Sequence, residues 1–442
     1  MKIGIIGSDL GNLLIAAKFA DVEGYELTIF EKDKILGNDF APVELSDGTK
    51  CQLAYNTFID EDEFLAGLKK FNINLPLNAV LNMHQMYAVI YGDNQKIVKY
   101  NNMFETIETL RLSPAEKKRF ELFYNKWQMN YNTAKAYTTN DISKQYYHHG
   151  IINRLKDTVF QSFSDETSRL NSEKVENLYQ VLPLLLDQNP TVVSRQHHYL
   201  TIQEHTRGMA YFNRANTNLY DEILKKINNA KNINVKLETP ILNYYQKNII
   251  TPNGKEIFDL IIDGTASHID QKKYKNIGLK IPKIVISLDC SYPNLETNII
   301  YNGNNSLTKN LKGKSKIDIS LKVHNPFAVQ ANIESSKIFV TPIGLEQTDK
   351  LIIEQQVIPI LEKIGFHKIK SHIKSIDIFD NGNNVYRAQM SKLFANKLMI
   401  ESATNNHLLY NCKPYGYGAQ LNQVIKTANK VTQIIESRKN EE

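Results

Sequence analysis

The sequence predicts an α/β protein organised around a parallel sheet, on three observations near its start. Residues 2–7 (KIGIIG) are a short apolar run ending at Gly7, the pattern of a strand buried on both faces. Residues 10–20 (LGNLLIAAKFA) place Leu10, Leu13, Leu14, Ala17 and Ala20 on one side of a helix. Residues 25–31 (YELTIFE) alternate, are β-rich and end in Glu31. Strand, helix and strand within about 30 residues make the smallest unit that joins two parallel strands.

The remaining elements follow from local pattern. From about 60 to 190 the sequence points to helices, at 61–71, 141–160 and 172–187. Ser113-Pro114-Ala115-Glu116 is a capping box with proline at the first helical position, and it starts a helix through Trp127. A helix at 217–230 precedes strands at 233–237, 241–246 and 248–251, with Pro252-Asn253-Gly254 as a turn. Residues 258–263 (FDLIID) read as a buried strand closed by Gly264. Strands at 283–289, 316–323, 337–341 and 373–379, a helix at about 346–364, a buried strand at 396–401 and a terminal helix at 419–437 complete the chain.

Composition bounds the function. The chain has 442 residues, of which 42% are hydrophobic and 23% charged, enough to bury a core and too apolar for a disordered chain. Its formal net charge of +6 comes without a dense Lys/Arg block interleaved with aromatics, so no nucleic-acid partner is expected; an anionic ligand such as a phosphate ester suits it. Cys51, Cys290 and Cys412 are far apart and form no CxxC, which argues against a disulfide framework or a zinc motif and for a reducing, cytoplasmic setting. No apolar run reaches the roughly 18 residues of a membrane span, and Met1 to Gly7 lacks the features of a signal peptide.

The candidate site lies at Gly7-Ser8-Asp9-Leu10-Gly11-Asn12, between the first strand and the first helix. A helix N-terminus there offers free N–H groups to a pyrophosphate. Glu31, 24 positions beyond Gly7, ends the second strand, where an acid accepts ribose hydroxyls of an adenosine. This is the context of a Rossmann-like dinucleotide turn, FAD or NAD(P). The pattern G-x-G-x-x-G would place glycines at 7, 9 and 12, but Asp9 and Asn12 stand at the second and third. Asp9 adds a negative side chain beside the pyrophosphate, and Asn12 enlarges the helix–strand contact.

Four segments carry a family resemblance: KIGIIGSDLGNLLIAAKFA with YELTIFEKDKILGND; DGTKCQLAYNTFIDEDEFLAGLKKF at 47–71; the run from His205 to Ser267, with Gly208-Met209, Thr239-Pro240-Ile241 and Asp259-Leu260-Ile261-Ile262; and NKLMIESATNN with YGYGAQLNQVIKTANKV near the end. In this order they resemble the FAD-dependent amine oxidase and phytoene desaturase superfamily, which includes UDP-galactopyranose mutase. The resemblance implies a discontinuous Rossmann-like FAD/NAD(P)-binding domain (1–60, 203–270 and 390–437), a helical cap at 61–202 and a substrate-domain sheet with a helix at 271–389. It also implies cofactor contacts at Gly7, Ser8, Leu10, Gly11, Glu31, Lys32, Gly37, Asn38, Ile241, Gly264, Ser402, Gly416 and Gly418. Ser402 and Ala403 replace the family's Gly-Asp/Glu, so its usual flavin-chain acid is missing.

No catalytic motif is legible. Arg207, at the family's substrate–flavin junction, Arg387 and Tyr386 are the candidates, with Arg195 and Arg214 as further arginines whose rigid fork matches carboxylates and phosphates. Tyr146, Tyr147, Tyr199, Tyr211, Tyr415 and Tyr417 are candidate pocket aromatics. His148-His149 and His197-His198 lack any metal-ligand spacing, so no metal is expected. The implied activity is a flavin-dependent oxidoreductase of the amine oxidase or desaturase type acting on a small organic substrate. A mutase-like non-redox flavoenzyme and a cofactor-lost binding protein on the same fold are the alternatives, and a homo-oligomer is left open.

Overall fold

The computed structural model describes all residues except 38–39, 52, 54–56, 60, 76–78, 93–94, 139–169, 186–208, 213–216, 265–277, 281, 304–318, 327–335, 344, 346–348, 380–383, 387–407, 411–420 and 442. A five-stranded, wholly parallel sheet organises the first core. Its strands lie in the order Ile233–Lys236, β2 (Glu26–Phe30), β1 (Lys2–Ile6), Leu260–Asp263 and Leu408–Tyr410. The chain therefore winds outward from β1 through β2, then crosses to the opposite side of β1. That reversal falls at the carboxyl ends of β1 and Leu260–Asp263, the place where open α/β sheets form a ligand crevice.

The two faces of this sheet are covered differently. Ile3, Ile5, Leu27, Ile29, Leu260 and Ile262 belong to a core shared with α1 (Leu10–Phe19), the helices Glu61–Lys69 and Thr217–Asn229, and the terminal helix Leu421–Glu441. Ile6, Phe30 and Ile261 pack on the other side with Ile249 and Phe258 of a three-stranded antiparallel meander, Asn243–Tyr245, Asn248–Thr251 and Gly254–Ile257. The period-2 alternation at 241–251 is thus that of a sheet packed on a sheet, not of further parallel strands.

Asn232 pins β2 to its neighbour. Its Nδ2 donates to the carbonyls of Phe19 (2.9 Å), Val22 (3.3 Å) and Tyr25 (3.0 Å), and its Oδ1 accepts from Asp21 N at 2.8 Å. Asp21 Oδ1 in turn accepts from Lys231 N at 2.9 Å. The turn leaving α1 is thereby fixed to the start of Ile233–Lys236.

A second sheet of seven strands runs Ile373–Phe379, Lys283–Leu288, Ser336–Ile343, Ser320–His324, Asn298–Asn302, Gln85–Tyr91 and Gln95–Tyr100. All its pairs are antiparallel except Asn298–Asn302 with Gln85–Tyr91. One face is covered by the helical stretch from Lys350 to Lys363, through Ile353, Val357, Ile358 and Leu361. Pro359 cannot donate within that helix, and the turn Ile353–Val357 just before it widens to a π-helix. Helices Pro114–Thr138 and Glu173–Leu185 cover the other face through Phe120, Phe123, Val175, Leu178 and Tyr179. The capping box forms as expected: Ser113 N and Oγ both donate to Glu116 Oε2, at 2.9 and 2.8 Å.

One expectation from sequence is corrected here. Within 61–202, where helices were expected, the strands Val80–Met83, Gln85–Tyr91 and Gln95–Tyr100 form instead. QMYAVIY is a buried central strand, which carries no helical period, and QKIVKY alternates beside it as the sheet edge. The strand pairing with Leu260–Asp263 is Leu408–Tyr410, while the expected 396–401 lies outside the described residues, as does the helix expected at 141–160.

Two outcomes are expected. Asn232→Ala removes three carbonyl partners and one N–H partner at once and lowers stability by about 2–3 kcal/mol, read from urea unfolding. Lys99 is 4% exposed, burial pushes its ammonium down to about 8, and its Nζ donates to the Tyr100 carbonyl. Because the folded state loses this proton before the unfolded state does, stability rises with pH from about 8 to about 10.5. Lys99→Met removes that rise and stabilises the protein at pH 7 by about 2 kcal/mol; an unchanged pH profile in the variant would show that Lys99 is solvated.

Candidate functional site

At the crevice, Gly7 adopts φ 81, a left-handed turn open to glycine, and its N–H donates to the Phe30 carbonyl at 2.8 Å. The chain then enters α1 through Asp9, whose carboxylate caps the helix by accepting from Asn12 N at 2.9 Å. Asn12 is 1% exposed, and its Nδ2 donates to the carbonyls of Ile6 (3.1 Å) and Gly7 (2.8 Å). The residue that breaks the glycine pattern thus stitches the helix onto the end of β1. Space for it comes from Gly264, where a Cβ would lie 2.1 Å from Asn12 Nδ2 and 3.2 Å from the Ile6 carbonyl. Gly264 N also donates to that carbonyl at 2.9 Å, closing the two central strands against each other.

Glu31 is 3% exposed at the end of β2. Its Oε2 accepts from Ser8 N at 2.9 Å and from Ser8 Oγ, and its Oε1 accepts from Asp33 N at 3.1 Å. A carboxylate oxygen accepts two donors, so Oε1 has capacity for one more. Ser8 Oγ also accepts from Gly37 N at 2.8 Å, joining the glycine turn to the loop after β2. Gly37 sits at φ 106, and a Cβ there would meet the Tyr220 ring at 2.6 Å. Tyr220 Oη donates to the Leu36 carbonyl at 2.7 Å.

Sequence reasoning missed Asp263. It is fully buried at the end of its strand, beside Gly264, and its Oδ2 accepts from Tyr244 Oη at 2.8 Å. The signal was present in an acid that terminates the apolar run FDLIID. Of the expected cofactor residues, Gly7, Ser8, Leu10, Gly11, Glu31, Lys32, Gly37 and Gly264 line or adjoin the carboxyl edge of β1, β2 and Leu260–Asp263. Ile241 instead packs, partly buried, on the meander-side core with Tyr244. Tyr386 lies in the strand Asn384–Tyr386, in register with Gly278, and Tyr211 in Met209–Phe212. Asn38, Arg195, Arg207, Arg214, Arg387, Ser402, Ala403, Gly416, Gly418, the four histidines and the remaining tyrosines lie outside the described residues.

A flavin dinucleotide can be tested against this arrangement. The ribose end fits, because Glu31 is buried, oriented and has acceptor capacity. The helix N-terminus is the opposite case: the Asp9 carboxylate already holds the Asn12 N–H and places a negative charge where a pyrophosphate would lie. Two unit charges about 5 Å apart at an effective dielectric of about 20 repel by about 3 kcal/mol, the size of the penalty that Asp9 would impose on a pyrophosphate there.

No family model and no curated protein matches the sequence. Solved structures match along nearly its whole length. Putrescine oxidase bound to putrescine aligns with a TM-score of 0.69 at 9% identity, covering 99% of both chains. Cyclohexylamine oxidase from Brevibacterium oxydans aligns at 0.66 with 10% identity, again over 99% of both chains. An oxidoreductase from Methanosarcina mazei aligns at 0.65 with 13% identity, over 98% of this chain and all of that one. These likenesses establish the fold.

The Asn12–Gly264 contact predicts non-additivity. Gly264→Ala forces the Asn12 side chain off both carbonyls and costs about 2–3 kcal/mol, and Asn12→Ala costs a similar amount. Combined, the two cost at least 1 kcal/mol less than their sum, because the space that Asn12 vacates admits the new methyl; strictly additive unfolding energies would refute the contact.

Proposed function

We propose that this chain, which has the fold of the FAD-dependent amine oxidases over its full length, is itself a flavin-dependent oxidoreductase acting on a small organic substrate, with amines the first class to test. One observation carries the reading: the crevice at the winding reversal is lined by the Gly7 turn, the α1 N-terminus and the buried Glu31. In this reading Glu31 Oε1 accepts a ribose hydroxyl while Ser8 holds the other carboxylate oxygen. The N–H groups of the first turn of α1 face the pyrophosphate. A bound flavin would supply hydride acceptance from a C–H bond, with a C–N or C–C bond becoming double as a proton leaves its other atom; the chain's part is to orient cofactor and substrate and to exclude water. By the family resemblance alone, Arg207, Arg387 and Tyr386 are the residues to test for a role with the substrate, and Ser402, Gly416 and Gly418 those to test for a role with the flavin.

The Asp9 cap favours one second reading, a binding protein on this fold that no longer holds the cofactor. Flavin titration separates the two. The wild-type protein quenches FAD fluorescence at equilibrium yet loses flavin on gel filtration, whereas Asp9→Gly binds at least about tenfold tighter and retains it, at a cost of only about 0.3 kcal/mol in stability. If neither protein quenches FAD, the flavin reading fails and the binding-protein reading stands. With retained flavin, anaerobic bleaching by putrescine or cyclohexylamine tests the substrate class.

A further inference from the structure

On the second sheet, away from the crevice, three different metal-ligating side chains meet. Lys283–Leu288 and Ile373–Phe379 pair antiparallel with a register shift at Ser287/Leu288. Just beyond the shift, Asp289 N donates to the His372 carbonyl at 3.0 Å, which brings Asp289 and Cys290 beside His372 although Asp289 and His372 are 83 positions apart. One ligand atom each from Asp289, Cys290 and His372 lie within 4.8 Å of one another. The His372 imidazole Nδ1 meets Asp289 Oδ1 at 2.7 Å. Tyr292 lies two positions beyond Cys290, and its Oη donates to the His367 carbonyl at 2.9 Å. The side chains of His372 and Asp289 are 38% and 51% exposed, so a cation reaches them from solvent.

We propose that Asp289, Cys290 and His372 form a binding site for a divalent late-transition cation, with zinc as the best-matched ion. Thiolate, imidazole and carboxylate are the donors zinc takes, and three protein ligands leave a fourth tetrahedral position to water. Ligand atoms around zinc stand about 3.5 Å apart, so the observed cluster closes by small side-chain rotations. The cation replaces the hydrogen bond between Asp289 and His372, and the Cys290 thiol gives up its proton to solvent on binding. Sequence spacing hid this site, because its ligands flank the ends of two paired strands, after Leu288 and before Ile373.

Cobalt(II) is the probe. The full-length protein, reduced and stripped with chelator, is titrated with Co²⁺. One equivalent is expected to bind, with a sulfur-to-cobalt charge-transfer absorption that Zn²⁺ then abolishes. Cys290→Ser removes the absorption, and Asp289→Asn and His372→Gln each weaken Co²⁺ binding at least about tenfold. Cys51→Ser leaves the absorption intact, since Cys51 is buried and its thiol is pushed up to about 12. Unchanged metal-free melting curves show that the variants fold. Absence of the charge-transfer band, or its persistence in Cys290→Ser, overturns the site.

Discussion

The first domain depends on keeping one buried carboxylate satisfied. Glu31 has little contact with water, and an unpaired charge there would cost several kcal/mol. Ser8 supplies two donors and Asp33 a third. The Glu31 backbone is used as well: its N–H donates to the Lys236 carbonyl at 2.9 Å and its carbonyl accepts from Thr239 N at 2.8 Å. Through this residue the turn after β1, the loop after β2 and the end of Ile233–Lys236 are held in one arrangement. Gly37 joins them through the Ser8 hydroxyl. The same knot leaves one acceptor position, and this is the feature a ribose can use.

The departures from the dinucleotide pattern are coupled to one another. Asp9 caps Asn12, Asn12 ties down the carbonyls of Ile6 and Gly7, and Gly264 makes room for Asn12. Two donors of the turn are here taken by the chain, the Ser8 N–H by Glu31 and the Asn12 N–H by Asp9. The result is a turn that is stable without ligand, with a negative charge at its mouth. For an anionic ligand approaching this turn, the charge of Asp9 would set an electrostatic barrier.

The two sheets divide the remaining labour. The parallel sheet packs against helices on one face and against the meander on the other. The larger sheet is sandwiched between the helix at Lys350–Lys363 and the helices of 114–138 and 173–185. Its far strands carry the Asp289–Cys290–His372 cluster, which belongs to neither core. Among the described residues no helix is long and apolar enough to cross a membrane.

The sequence alone determined the elements whose signals are local. The β1–α1–β2 unit, the capping box at Ser113 and Glu116, the buried strand ending at Asp263 and the terminal helix all follow from periodicity, caps and glycine turns within a few residues. It also indicated Gly7, Ser8 and Glu31 as neighbours, because the βαβ unit brings them together over a short stretch of chain. Tertiary structure decided what required distant partners. A buried central strand such as Gln85–Tyr91 carries no period that separates it from a helix, so only its pairing with Asn298–Asn302 and Gln95–Tyr100 identifies it. The role of Asn12 depends on the missing Cβ at Gly264, 252 positions away (264 minus 12). The cluster of Asp289, Cys290 and His372 exists only because two antiparallel strands shift register beside it. Local pattern fixes which backbone conformation a segment prefers, while long-range packing fixes which side chains meet.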